Sequence, residues 1–600
     1  MRAGSDARPQ IVSSSAPNIH PVAEQSSRFA THLLQPVSAA AQRALNYSSS
    51  LVPPDKLTLM RQASSYIRSP YLFSRRVDPH LPHIAADASW AGMWSGHGSN
   101  LEAADTLDVF MNVLREKESR FDNPNDLFTF FIYANPCYHI KTDADYQQLI
   151  QHRYVTQGPT PQNELGAIGG VGWYVRDTFI PQHPFTHDQE GNEIDNPDYR
   201  IPRNKLIAAL DIKKLNVYFG TIERNDNNNK YLNFDIPSII NRHVTEAIES
   251  EVVELKPFIS RIVLDIAGFL LGFRIVPQSS YYESNKDLFD NTFEKLGSPK
   301  LGMNAKEAKK VSRELEKRWN KLTLEMIGDN FDSVPHSSIF MDYWKQVFGE
   351  SFPFPNSFSE LQCIGSAGSP EEKGKLEKFV RIISDFQLVS SETTIHVYDL
   401  LLREFKNRND LVKNIRAELP AKNLALTWNN FGKCAHLQDA IFEALRVYGP
   451  AEVLTWEVFR HGLLIERSGR VHGIPKGAIL FADLGQIDAL SVENGSEFVP
   501  GRRLEKDSVL AIRTNKEIKA FSGGSVSGPA SASGGAFRIC PGRYFATLEM
   551  GAITKILLQR CNIFNSDKDG NILAAKASTA IASASTKQPA ESSYMRLIPR

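Results

Sequence analysis

The chain has 600 residues, 42% of them hydrophobic, and a formal net charge of zero. That is ample apolar material for a large core, and it excludes the basic surplus expected of a nucleic-acid binder. Five scattered cysteines without a CxxC pair argue against a disulfide framework and a structural zinc site, and fit a reducing compartment.

Residues 1–55 are rich in Ser, Ala and Pro and lack Lys, which reads as a disordered tail or a weak organelle transit peptide. Folded patterning runs from residue 56 to 600. The aromatic run Asp126 to Tyr138 predicts a strand, and the Pro/Gly-rich stretch 157–204 predicts a long surface loop. Residues 238–276 predict two helices. Their second half, 258–276, is the most apolar stretch of the chain, but Arg261, Asp265 and Arg274 interrupt it. It reads as a buried helix, and no transmembrane span is expected.

Ser369-Pro370-Glu371-Glu372 is a helix start: a Ser cap, Pro in the first turn, then acids. The pattern continues to about Lys406, about 50 Å of helix. Further helices are predicted at 410–419 and at 435–448, the latter stopped by Gly449-Pro450. Residues 451–485 alternate between Gly-bearing turns and predict strands. A last helix is predicted at 546–558. The expected fold class is mainly α with a small β region.

Several short motifs carry chemistry. Cys540 lies in Arg538-Ile539-Cys540-Pro541-Gly542-Arg543, at the positive end of the last helix, where backbone N–H groups favour thiolate. Gly542 allows a flat ligand to approach the backbone. Glu443 and Arg446 share one helix face, beside an apolar stripe of Leu437, Ile441 and Tyr448 that predicts partial burial. Phe498-Val499-Pro500-Gly501-Arg502 adds a second arginine. Inside the long helix, Val389-Ser390-Ser391-Glu392-Thr393-Thr394 places an acid beside a hydroxyl, a pair suited to proton transfer.

Taken together, these motifs resemble the cytochrome P450 family over roughly residues 100–600, most strongly over 385–560. The Cys-Pro-Gly-Arg-aromatic-Phe-Ala run is similar to fungal and sterol- or prostanoid-type members. The resemblance implies a single-domain haem-thiolate fold binding haem b, with Cys540 as axial iron ligand. It implies a structural network of Glu443, Arg446 and Arg502, and proton delivery by Glu392 and Thr393. It implies that Arg538 and Arg460 pair with the haem propionates and that Gly542 lines the cofactor. The implied reaction inserts one oxygen atom from O2 into an apolar small molecule, in specialised-metabolite or lipid and sterol metabolism. Electrons would come from NADPH through a separate reductase. The implied location is intracellular, cytoplasmic or peripheral at the endoplasmic reticulum, with peripheral membrane contact compatible.

Three departures accompany the match. Ser533 and Ala536 stand where the family has Phe and Gly, unless the loop begins at Phe521 and carries an insertion over 525–536. Ser390 stands where Gly is usual. The family's Trp-x-x-x-Arg of an early helix is not evident between 200 and 250. Two other readings stay open: a haem-thiolate hydroperoxide isomerase or lyase needing neither O2 nor reductase, and a non-catalytic haem-binding protein.

Overall fold

The computed structural model describes most of residues 81–150, 206–292, 305–502 and 540–600, with short strands at Val155–Gln157, Phe185–His187 and Glu193–Asp195. Residues 1–55, the Asn run at 225–229 and most of 157–204 lie outside the described residues.

The protein is mainly helical with small sheets. Six of its helices are α1 (Leu107–Glu118), α2 (Ile236–Glu249), α3 (Leu255–Leu270), α4 (Pro370–Asn407), α5 (Ala435–Val447) and α6 (Arg543–Arg560). Three of their ends show the local chemistry that sets them. Asp235 caps α2 by accepting from Ser238 N at 2.7 Å. Ser369 caps α4 in a complete capping box with Glu372, the reciprocal pair that satisfies two orphan donors. α3 stops at Gly272, whose φ of 86° suits glycine and whose added Cβ would lie 2.9 Å from Val334 Cα.

Helices α2, α3, α4 and α6 pack together around one large apolar core. α4 is 38 residues long, about 57 Å, and is buried almost continuously from Ile382 to Lys406. Tyr398 Oη and Thr554 Oγ1 hydrogen-bond at 3.0 Å between α4 and α6. One turn earlier Thr394 faces Glu549. Residue numbers therefore rise together along both helices, and the two run in the same direction.

The predicted strand at 126–138 is two strands. Phe128–Ile132 (β1) and Asn135–Ile140 (β2) form an antiparallel hairpin, with Ile132 opposite Asn135. Both flanks are buried and aromatic, so the run reads as one strand, and the single local sign of the turn is Asn135-Pro136. With Val155–Gln157 (β3), Val453–Val458 (β4) and Ile479–Asp483 (β5) they make a sheet of order β1-β2-β5-β4-β3. β5 pairs with β2 in parallel, the other neighbours antiparallel. Both faces are covered: Phe128, Phe130, Cys137 and Phe481 pack on one side, and Tyr138, Ile140, Trp456 and Leu480 on the other. Such strands read as continuous apolar runs.

Where α1 covers this sheet, a charged cluster is buried. His139 Nδ1 lies 2.5 Å from Glu118 Oε1 and Nε2 lies 3.3 Å from Asp483 Oδ2. Lys141 Nζ donates to Glu118 Oε2 at 2.8 Å, and Arg115 Nη2 to Asp483 Oδ2 at 2.8 Å. No helix among the described residues is long and apolar enough to cross a membrane.

Candidate active site

Cys540, Pro541 and Gly542 form the turn that opens α6, and all three are half-buried. The helix begins at Arg543, three residues earlier than the pattern predicts, because Pro-Gly supplies the turn and Gly542 serves as the cap. Ala546 N donates to Gly542 O at 2.8 Å. Arg543 folds back, its Nη1 donating to Cys540 O at 3.0 Å and its guanidinium lying 4.3 Å from the Tyr544 ring. A Cβ built on Gly542 would meet one atom within 4 Å, Cys540 Sγ at 3.9 Å. The thiol sits at the positive end of the α6 dipole.

The other cysteines differ. Burial raises the thiols of Cys137, Cys434 and Cys561, the last two to about 12 and about 11. Cys561 Sγ donates to Leu557 O at 3.1 Å. Cys363 is exposed. Among the described residues no group of three or more His, Cys, Asp or Glu side chains could hold a metal ion together.

The polar segment of α4 interrupts its burial. Between Ile382 and Lys406, Val389, Ser390 and Thr393 are accessible while their neighbours are buried. Their spacing of one and four residues places them on one face. Val389 is 43% exposed in a helix whose adjoining turns are shut. The backbone here is tapped by hydroxyls: Ser390 Oγ and Ser391 Oγ donate to Gln387 O at 3.3 and 2.6 Å, and Thr393 Oγ1 donates to Val389 O at 3.4 Å. Back-bonding of this kind bends helices.

Glu392 and Thr393 are adjacent in sequence but diverge in space. Thr393 belongs to the accessible face, whereas Glu392 is buried, its Oε1 3.1 Å from His396 Nε2. Thr394 turns toward Glu549, which is fully buried on α6. Burial pushes that carboxyl well above its usual range, with the Thr394 side chain opposing. Neither Glu549 oxygen completes a well-formed hydrogen bond among the described residues.

Glu443, Arg446 and Arg502 meet. Arg446 Nη2 and Nε donate to the two Glu443 oxygens at 2.7 and 3.0 Å, and Arg502 Nε donates to Oε1 at 3.2 Å. Val499 N adds a fourth donor at 3.1 Å. The remaining Arg446 donors reach Asp488 O at 3.3 Å, Glu497 O at 2.9 Å and Gly495 O. Burial alone would raise the Glu443 carboxyl, but Arg446, Val499 and Arg502 together hold it below its ordinary value. Both side chains of the Glu443–Arg446 pair are at 0% exposure, deeper than the partial burial expected from the neighbouring stripe. Buried charges are tolerated when satisfied in this way.

Arg538 and Arg460, with Ser533, Ala536 and the 525–536 segment, lie outside the described residues. His396 and Glu549 escape the sequence reading. A lone His in a helix and an acid in an apolar helix such as Thr547–Leu558 carry no spacing signal, although an acid amid so many apolar residues is itself a clue. No protein-family model and no curated protein matches the chain.

Proposed function

We propose that this protein is a haem-thiolate monooxygenase of cytochrome P450 type. It would insert one oxygen atom from O2 into an apolar organic substrate, with electrons drawn from NADPH through a separate reductase. The observation that carries the reading is the accessible face on α4. A helix this deep in the core has no packing reason to leave Val389, Ser390 and Thr393 uncovered, and these three belong to the segment that the resemblance assigns to oxygen handling.

Haem b fits the residues present. Cys540 is half-buried on a turn, and among the described residues a Cβ on Gly542 would meet only Cys540 Sγ, so a side chain that would crowd a flat macrocycle is missing at that position. Cys540 would hold the iron, with Gly542 against the ring and Arg538 and Arg460 as propionate partners. When bound, the group supplies dioxygen activation, and thiolate ligation favours O–O cleavage.

The chain's own residues do the rest. Thr393 presents a hydroxyl at the accessible face and can pass a proton. Glu392, one residue earlier, is the acid that can resupply it. The Glu443–Arg446–Arg502 network fixes the segment at 495–502, and its role is structural.

One observation favours a second reading. Glu392 points away from the accessible face, so a hydroperoxide isomerase or lyase that needs no proton delivery to O2 fits as well. Turnover assays separate the two. A monooxygenase consumes NADPH and O2 only with a reductase present, whereas the isomerase converts a fatty-acid hydroperoxide without either. Wild type that binds haem yet turns over neither kind of substrate would leave a non-catalytic haem-binding protein.

A further inference from the structure

We infer that His396 is a positioning residue for Glu392, holding its carboxylate through Nε2–H. The functional meaning of this pair rests on the reading proposed above; the pair itself does not. Glu392 and His396 are one turn apart on α4, with side chains 7% and 2% exposed and Nε2 3.1 Å from Oε1. The approach is close enough for a hydrogen bond, but its angle leaves the bond incomplete, and Nδ1 has no partner among the described residues. A histidine kept only to fill space tends to have its ring nitrogens satisfied. Catalytic hydrogen bonds, by contrast, are often long or poorly aligned before the reacting complex forms.

The pair continues along one stripe of the helix. Asp399 lies three residues beyond His396 and accepts from Arg403 Nε at 2.8 Å. Arg403 Nη2 in turn donates to Glu591 O at 2.5 Å. Positions 392, 396, 399 and 403 thus form a row of buried ionisable groups leading from the accessible segment toward the end of α4. Two other buried carboxyls lie near this segment: Asp385 on α4, one turn before Val389, and Glu549 on α6, on the Thr394 side. His396 is the link between Glu392 and the Asp399–Arg403 pair, and it sets where the carboxylate rests before it turns toward Thr393.

The test uses full-length protein labelled with 15N-histidine, as wild type, Glu392→Gln and His396→Gln. Wild type should show a slowly exchanging, low-field imidazole N–H proton. It should vanish in His396→Gln and move upfield in Glu392→Gln, whose amide oxygen is the weaker acceptor. Absence of the resonance, or an unchanged shift in Glu392→Gln, overturns the pair. Per molecule of bound haem, His396→Gln should lower kcat by about tenfold or more with KM unchanged; a merely structural role would reduce folded protein and leave kcat per haem intact. An N–H signal without a thiolate-type spectrum would sink the monooxygenase reading alone, and the reverse result would sink only the pair.

Discussion

A single oxygen of Glu443 accepts Arg446 Nη2 at 2.7 Å and Arg502 Nε at 3.2 Å. It thereby ties α5 to a loop 59 residues further along the chain. Because the pair is fully buried, removing one partner strands the other's charge. Glu443→Ala or Arg446→Ala should therefore cost about 3–5 kcal/mol of stability in denaturant unfolding. Arg502→Ala should cost less, since its side chain is 17% exposed. The Glu443 carboxyl is held below its usual 4.5, so its contribution is present above that value and is lost as pH falls through the lower folded value. Equal stability of Glu443→Ala and wild type at neutral pH would contradict this account.

Glu549 behaves in the opposite sense. Its carboxyl is raised above 4.5 by burial, so the folded state binds the proton more tightly than the unfolded one. Stability then declines as pH rises from about 4.5 toward the folded value. Glu549→Gln, which mimics the protonated acid, should match wild type at low pH and become progressively more stable than it as pH rises. Parallel pH–stability curves for the two proteins would count against a neutral buried acid facing Thr394.

His139 sits between Glu118 and Asp483, and although burial lowers it, those two carboxylates raise it above its ordinary 6.5. The stability it adds is complete below 6.5 and is lost as pH rises through the raised folded value. The gap in unfolding free energy between wild type and His139→Gln should be widest in acid and narrow on the alkaline side. Asp483 is depressed, by His139 and Arg115 against the effect of burial, so very low pH should also weaken this end of the sheet. A gap that does not vary with pH would refute the pairing.

Thiol chemistry separates Cys540 from its fellows. Cys137, Cys434 and Cys561 are buried with raised thiols, whereas Cys363 is exposed and Cys540 half-buried. Reactivity follows thiolate and access, so alkylation near neutral pH should mark Cys363 and Cys540 first. Prior addition of haem should protect Cys540 and not Cys363. Peptide mapping by mass spectrometry reads both, and equal labelling of Cys540 with and without haem would argue against ligation.

Much of this was legible in the residues, for physical reasons. The start of α4 is announced by Ser369, Pro370 and Glu372 because capping is local chemistry, and its end near Lys406 follows from the pattern of its buried face. Cys540 stands out because Pro541 and Gly542 fix its turn. Pairings set by tertiary packing were not legible. Nothing local says that β2 lies beside β5, far along the chain, or that Glu392 turns toward His396 while Thr393 faces outward. Glu443 lies deeper than its helix pattern predicts because its burial depends on the 495–502 segment folding over it, which a helix pattern cannot reveal.

The central claim is that Cys540 is a thiolate ligand to haem iron. It is tested most directly by reducing the haem-loaded protein, adding carbon monoxide and recording the Soret band for wild type and Cys540→Ala. The account predicts a strongly red-shifted band in wild type that is absent from the variant. No haem uptake, or a band at the position typical of histidine ligation, would contradict it.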